Sequence, residues 1–218
     1  ITMHATIPAL PQGILYILKS GLQRGEATGS LAGLFNRVEG RLLAAGMAVL
    51  IKLGFGFLTA PGMSESKAQK AQRFFEDNFI IQDPSAKDGV RYYQGKILIR
   101  TRKPEDDMNV LIQFCPDPEA LYISTPFGRQ LNPAAIVTTA AINEAEAEQI
   151  EHDPDKVDLV IRFKDTQAIL GLAERPDADV VQLLLENLVQ ITGNFGHMFK
   201  FGAIGKNIQL AMQDFLET

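Results

Sequence analysis

The chain has 218 residues, a formal net charge of −5 at pH 7 and one cysteine. This length suffices to bury a hydrophobic core without disulfides, and a lone cysteine excludes an internal disulfide and a multi-thiolate metal site. The acidic balance predicts no nucleic-acid partner, and the unpaired thiol fits a reducing, cytoplasmic location. Because the chain begins at Ile1 rather than Met, the sequence leaves open whether other residues precede it.

The first part of the chain, residues 1–63, predicts an apolar helical extension. Within it, residues 42–60 carry Lys52 as their only charge. This stretch nearly reaches the about 20 apolar residues of a membrane-spanning helix, but the central lysine and the helix-breaking Gly54 and Gly56 oppose a span. We expect a buried helix, with peripheral membrane contact or a homodimer through 42–60 as open alternatives.

Residues 64–218 predict an α+β domain, because helical spacing gives way to an alternation of period two. The strand candidates are Val90–Tyr93, Lys96–Thr101, Asn109–Cys115, Ala120–Ser124, Val157–Phe163 and Leu188–Thr192. Short links between the first of these predict antiparallel hairpins. The acidic run at 144–155 is typical of a solvated face or a mobile loop.

Residues 157–212 contain the most distinctive pattern. It reads VDLVIRFKDT, then LLLENLVQITGN, then an apolar helix beginning FGHMFKF, with Gly193 as a permissive turn residue and Asn194 as the helix cap. This order resembles the C-terminal half of the sterol carrier protein type 2 domain family. The matching positions are Asp158, Leu159, Ile161, Asp165, Ile191, Gly193 and Asn194. The resemblance is weaker over 90–124 and does not cover 1–60.

The resemblance implies that residues 64–218 form a sterol-carrier-like lipid-binding domain. Its expected fold is α/β (α+β), with helices over one face of a largely antiparallel five-stranded sheet that encloses an apolar tunnel. The expected ligands are sterols, fatty acids, acyl-CoA or isoprenoid lipids. The function expected from it is non-catalytic binding or intracellular transfer of such a lipid.

The closing helix offers an argument that does not depend on the resemblance. At 100° per residue its apolar residues form two stripes, roughly 180° apart. The stripes are Phe195, Met198 and Phe199 and, opposite them, Ile204, Ile208 and Met212. One straight helix cannot bury both stripes against one sheet, so either the helix breaks at Gly202 or Gly205 or its two halves face different apolar partners. The lipid-binding interpretation predicts that the first stripe faces the sheet and the second faces a cavity or another chain. The predicted cavity residues are Leu184, Leu188, Phe195, Met198, Phe199, Ile204, Ile208 and Met212.

The sequence predicts no catalytic residue, metal site or cofactor. His197 lies near Lys200 and could act as a general base, but an isolated helical histidine is more often structural. No HxxxH spacing indicates zinc. Cys115, at the end of a strand, is expected to be a small buried hydrophobe.

Several functions stay open beside the lipid carrier. The first is an accessory protein of ubiquinone or isoprenoid-lipid biosynthesis that holds an apolar intermediate for partner enzymes, as some members of the resembled family do. A second is an enzyme, because the resembled fold also occurs as a module within isomerases and acetyltransferases. A third is a dimerisation module. Ligand identity, pathway and oligomeric state are not determined by the sequence.

Overall fold

The computed structural model describes residues 32–59, 65–126, 128–173 and 180–204. The helices are α1 (Ala32–Thr59), α2 (Glu65–Phe79), α3 (Pro133–Ile136), α4 (Glu144–Glu151), α5 (Thr166–Ala173), α6 (Val180–Leu185) and α7, of which 195–204 are described. Short 3-10 helices lie at Pro104–Asp106 and Pro118–Leu121. The strands are β1 (Ile80–Gln82), β2 (Val90–Tyr92), β3 (Lys96–Thr101), β4 (Asn109–Phe114), β5 (Tyr122–Thr125), β6 (Gly128–Leu131), β7 (Val137–Ala141), β8 (Leu159–Phe163) and β9 (Val189–Gly193).

The main sheet has five strands in the order β7-β4-β3-β8-β9. The β7–β4, β4–β3 and β8–β9 pairs are antiparallel, but the central β3–β8 pair is parallel. The fold is therefore α+β with a mixed sheet. A largely antiparallel sheet was expected, and the expectation did not include the parallel pair at its centre. The reason is the long connection between β4 and β8. It adds β7 beside β4, and α4 then carries the chain across to the other side of β3.

One face of the sheet supplies the main core, as strand alternation requires. Its fully buried strand residues include Ile97, Val110, Ile112 and Leu159. Helix α1 packs over this face and buries Leu43, Ala44, Met47, Ala48 and Phe55. The Thr139 hydroxyl on β7 donates to the Ala48 carbonyl at 2.6 Å. In the part of the chain that the structure describes, no helix has the length and apolarity needed to cross a bilayer.

The opposite face of the sheet is covered by α4, which corrects two expectations. Helices were expected over one face, and the acidic run at 144–155 was expected to be a solvated face or a mobile loop. The run forms a helix, so the loop alternative is wrong, and the outer residues Glu146 and Glu148 of this helix are exposed. Ala147 and Ile150 of α4 pack against Leu98 and Val160, which point away from the main core. The acidic run therefore forms an amphipathic helix, because its two buried apolar residues lie three positions apart and face the sheet together.

Charged side chains hold α4 to this face. Arg100 on β3 and Arg162 on β8 lie side by side in the parallel register, an arrangement of like charges that is unfavourable alone. Glu151 pairs with both arginines, and its Oε2 accepts from Arg100 Nη1 at 2.6 Å. Glu144 also pairs with Arg100 and accepts from the Asn109 amide at 3.1 Å. The two glutamates thereby neutralise two positive charges on this face of the sheet.

Aromatic rings link the helices of the main core. Phe114 at the end of β4 lies 5.6 Å from Phe55 of α1 and 5.9 Å from Phe79 of α2, measured between ring centroids. The same ring lies 5.6 Å from Tyr93 and 6.2 Å from Phe201 of α7. Phe114 therefore connects α1, α2 and α7 at one end of the sheet.

Candidate ligand-binding site

The start of α7 is fixed by residues that belong to the distinctive sequence pattern. The Asn194 backbone N–H donates to the Asp158 carbonyl at 2.9 Å, and the Asn194 side chain accepts from the Gly196 N–H at 2.8 Å. Gly193 has φ +106°, and a Cβ there would overlap the Asp158 carbonyl oxygen. The predicted cap at Asn194 and turn at Gly193 are thus confirmed. They determine where the chain leaves the sheet.

The orientation of α7 is the reverse of the one expected. Phe195 and Phe199 are 47% and 57% exposed, whereas Ile204 is fully buried in the main core. Met198 is half-buried and packs against the same core. Within the described residues, Phe195 and Phe199 of the first stripe therefore point outward, whereas Met198 of that stripe and Ile204 of the second pack against the main core. The prediction that Phe195 and Phe199 face the sheet is wrong.

The other predicted cavity residues are likewise divided between the main core and the surface. Leu188 is half-buried against the main core, and Leu184 on α6 is 37% exposed. Helices α6 and α7 join opposite ends of β9. Ile208 and Met212 lie outside the described residues. The structure thus brings Leu188, Met198 and Ile204 to the main core and leaves Leu184, Phe195 and Phe199 at the surface.

Polar groups lie on the flank of α7 that faces the body of the protein. The Tyr93 hydroxyl is 3.0 Å from His197 Nδ1, and the Lys200 ammonium lies 5.8 Å from the centroid of the Tyr93 ring. Burial raises the pKa of Tyr93 far above its usual range, so its hydroxyl keeps its proton. Burial lowers the pKa of Lys200. Among the described residues no carboxylate forms an ion pair with Lys200.

Sequence reasoning missed Tyr93 as a partner of this helix. Tyr93 and His197 are 104 positions apart, and no local spacing connects them. They meet because β3, which follows Tyr93, pairs with β8, and β8 pairs with β9, which leads into α7. Gly95 completes the arrangement, since a Cβ there would overlap the Tyr93 hydroxyl.

Cys115 is unsuited to nucleophilic chemistry. It is fully buried, and burial raises the pKa of its thiol to about 12. We expect the native protein to resist alkylation by iodoacetamide at pH 8, and protein unfolded in urea to react at the rate of a free thiol, because the thiolate is the reactive form. Mass spectrometry of timed samples measures both rates. Native labelling as fast as in urea would contradict this burial.

The described residues contain no group of three or more His, Cys, Asp or Glu side chains arranged to hold a metal ion. The fold and the site define a class, namely an α+β protein with a mixed five-stranded sheet in which the helix after β9 exposes two phenylalanines. Comparison of the chain with protein-family models, curated proteins and solved structures found no match.

Proposed function

We propose that this protein binds an apolar ligand without catalysis, as a lipid carrier of the sterol carrier type, and that α7 is the element that contacts the ligand. One observation carries the proposal. Phe195 and Phe199 are about half exposed on a helix whose other side, through Ile204, is fully buried. Helical spacing of four residues places both rings on one side of α7, where together they form an apolar surface.

Exposed phenylalanines can contribute binding free energy when a ligand covers them. Fully burying a phenylalanine side chain contributes about 1.5–3 kcal/mol, and covering the exposed half of each ring contributes roughly half of that. A ligand that covers both rings therefore gains affinity from each. Aromatic residues clustered on a surface are also typical of interaction sites rather than of free protein surface. The resemblance of residues 157–212 to sterol carrier domains supports a lipid as the apolar ligand.

The position of these rings changes where the ligand is proposed to bind. The sequence favoured an internal cavity lined by the whole predicted set, but Phe195 and Phe199 point away from the main core. The proposed contact is therefore the outer side of α7. Non-catalytic binding is supported by Cys115, whose thiol is buried, and by His197, whose Nδ1 is occupied by Tyr93.

A binding experiment tests this proposal. Titration with 12-(1-pyrenyl)dodecanoic acid, followed by pyrene fluorescence, is expected to show saturable binding. The double variant Phe195→Ala/Phe199→Ala is expected to weaken binding at least tenfold, because it removes apolar area from both contacts. Ile123→Ala is the control, since Ile123 is as exposed as Phe195, at 47%, but lies on β5.

Each result of this titration either supports or overturns the proposal. Binding that is weakened by the double variant and unchanged by Ile123→Ala supports α7 as the contact. An absence of saturable binding, or equal affinity for the wild type and the double variant, overturns the proposal. Lipid extraction and mass spectrometry of the freshly purified protein identify any ligand that is carried along.

A further inference from the structure

Strand β9 is an edge of the main sheet, where β8 is its one neighbour among the described strands. The Lys164 N–H on the β8 side donates to the Leu188 carbonyl at 2.8 Å, so the even-numbered residues of β9 direct their backbone groups toward β8. Successive residues of a strand bond to opposite sides, so the outward backbone groups are those of Val189, Ile191 and Gly193. Within the described residues these groups have no hydrogen-bond partner.

The free edge of β9 lacks the features that keep edge strands from pairing. Natural proteins protect such edges with charged side chains, with proline or with a bulge. β9 reads VQITG, without a charged residue or a proline. Its five residues pair one to one with β8, so the strand has no bulge. This edge is therefore open to a further strand.

Exposed apolar side chains are concentrated at the two ends of the same strand. Of the seven large hydrophobic side chains that are exposed in the described part of the chain, four lie there, namely Leu184 and Leu185 before β9 and Phe195 and Phe199 after it. Leu185 is the most exposed of them, at 82%. Leu183 of α6 and Ile204 of α7 are buried in the main core, so both helices lie on the main-core side of the sheet.

A second copy of the chain would meet both of these features at once. Antiparallel pairing of two β9 strands places a two-fold axis perpendicular to the joined sheet, so the main-core faces of both copies lie on the same side. With the axis at Ile191, Val189 of one copy lies opposite Gly193 of the other. The end of β9 that carries α6 in one copy then adjoins the end that carries α7 in the other.

We propose that two copies of this protein join through β9 into one ten-stranded sheet, and that α6 of each copy completes the ligand-binding surface on α7 of the other. Leu184 and Leu185 of one copy would face Phe195 and Phe199 of the other across a cleft that holds the ligand. This inference rests on the function proposed above and adds the second wall of the site. An apolar ligand covered from two sides loses more contact with water than one covered by a single helix, so the dimer would bind it more tightly.

Cysteine cross-linking tests the pairing of the two strands. In the proposed register Gln190 lies opposite Thr192 of the partner subunit in a non-hydrogen-bonded pair, where Cα atoms are about 4.5 Å apart. That separation permits a disulfide, and both side chains are exposed. The double variant Gln190→Cys/Thr192→Cys is expected to form a covalent dimer on oxidation with copper phenanthroline, measured on a non-reducing gel. Cys115 is buried and does not compete.

Each single variant, Gln190→Cys or Thr192→Cys, is the matched control, because neither position lies opposite itself in this register. Sedimentation velocity of the wild type is expected to show a dimer. A covalent dimer from the double variant, with little from either single variant, supports the pairing. A monomeric wild type overturns the proposal, and so does a dimer whose double variant fails to cross-link or cross-links no better than the single variants.

Mixing two defective chains tests whether the partner completes the site. Phe195→Ala/Phe199→Ala alters α7 and Leu184→Ala/Leu185→Ala alters α6, so each double variant alone is expected to bind 12-(1-pyrenyl)dodecanoic acid at least tenfold more weakly than the wild type. In a mixed dimer, one of the two sites joins an intact α7 to an intact α6. A 1:1 mixture, with subunit exchange checked by native mass spectrometry, is therefore expected to recover wild-type affinity in roughly a quarter of its sites.

The outcomes distinguish this inference from the proposed function. Recovery of tight binding in the exchanged mixture supports the shared site. Unchanged affinity of Leu184→Ala/Leu185→Ala, or an exchanged mixture that binds no better than its components, overturns the shared site while leaving the contact with α7 in place. Absence of saturable binding by the wild type overturns both the shared site and the proposed function.

Discussion

Phe114→Ala is expected to lower the free energy of unfolding by about 3–5 kcal/mol, the range for removing a large buried aromatic side chain. Phe114 is 1% exposed, and its ring meets aromatic rings from α1, α2 and α7. Truncation would leave a cavity at the point where these helices meet. The rigid helices cannot all move in to fill such a cavity.

Phe199→Ala is the matched substitution at the surface. Phe199 is 57% exposed, so the same chemical change is expected to alter the free energy of unfolding by no more than about 0.5 kcal/mol. Urea denaturation followed by circular dichroism measures both variants. A large destabilisation by Phe199→Ala would mean that Phe199 faces the sheet, as the sequence suggested, and would contradict the orientation of α7 described above.

Glu151→Gln is expected to lower the free energy of unfolding by about 3 kcal/mol. Glu151 is the carboxylate shared by Arg100 and Arg162, which are neighbours in the β3–β8 register. Without its charge, the two guanidinium groups would lie side by side with Glu144 paired to Arg100 alone, and Arg162 would keep no ion pair among the described residues. Removing one member of a buried ion pair typically costs about 3–5 kcal/mol, because an uncompensated charge stays behind.

Glu148→Gln is the control on the same helix, since Glu148 is exposed and points away from the sheet. Its expected effect is within about 0.5 kcal/mol. Chemical denaturation of both variants at low and high salt gives the comparison, and the effect of Glu151→Gln should persist at high salt because buried pairs are weakly screened. Equal stabilities of the two variants would show that α4 is not held by this charge network.

Local features were predictable where the chain alone determines them. The β-branched and apolar run at Lys96–Thr101, which follows a turn signal at Gln94 and Gly95, identified β3 with its observed bounds. The Gly193 turn and Asn194 cap were predictable because each depends on the residue's own backbone and side-chain chemistry. The opposition of two apolar stripes on α7 was likewise a property of helical spacing alone.

The direction of each stripe was not predictable, because rotating a helix by half a turn leaves its periodicity unchanged. Which side faces the core depends on the turn at Gly193 and on the Asp158 carbonyl that receives the Asn194 N–H. The parallel pairing of β3 with β8 was not predictable either. It arises from a connection that includes β7 and α4, and local propensity does not encode the order in which distant strands pair.

The sequence by itself thus determined an α+β chain with a closing helix that carries apolar residues on two sides, and an apolar stretch that forms part of α1. Only the tertiary structure decided that Phe195 and Phe199 face outward, and that Tyr93 meets His197 and Lys200 on the side of α7 that faces the body of the protein. The reason is physical. Spacing along the chain sets which residues share a side of a helix, but contacts between distant segments set what that side meets.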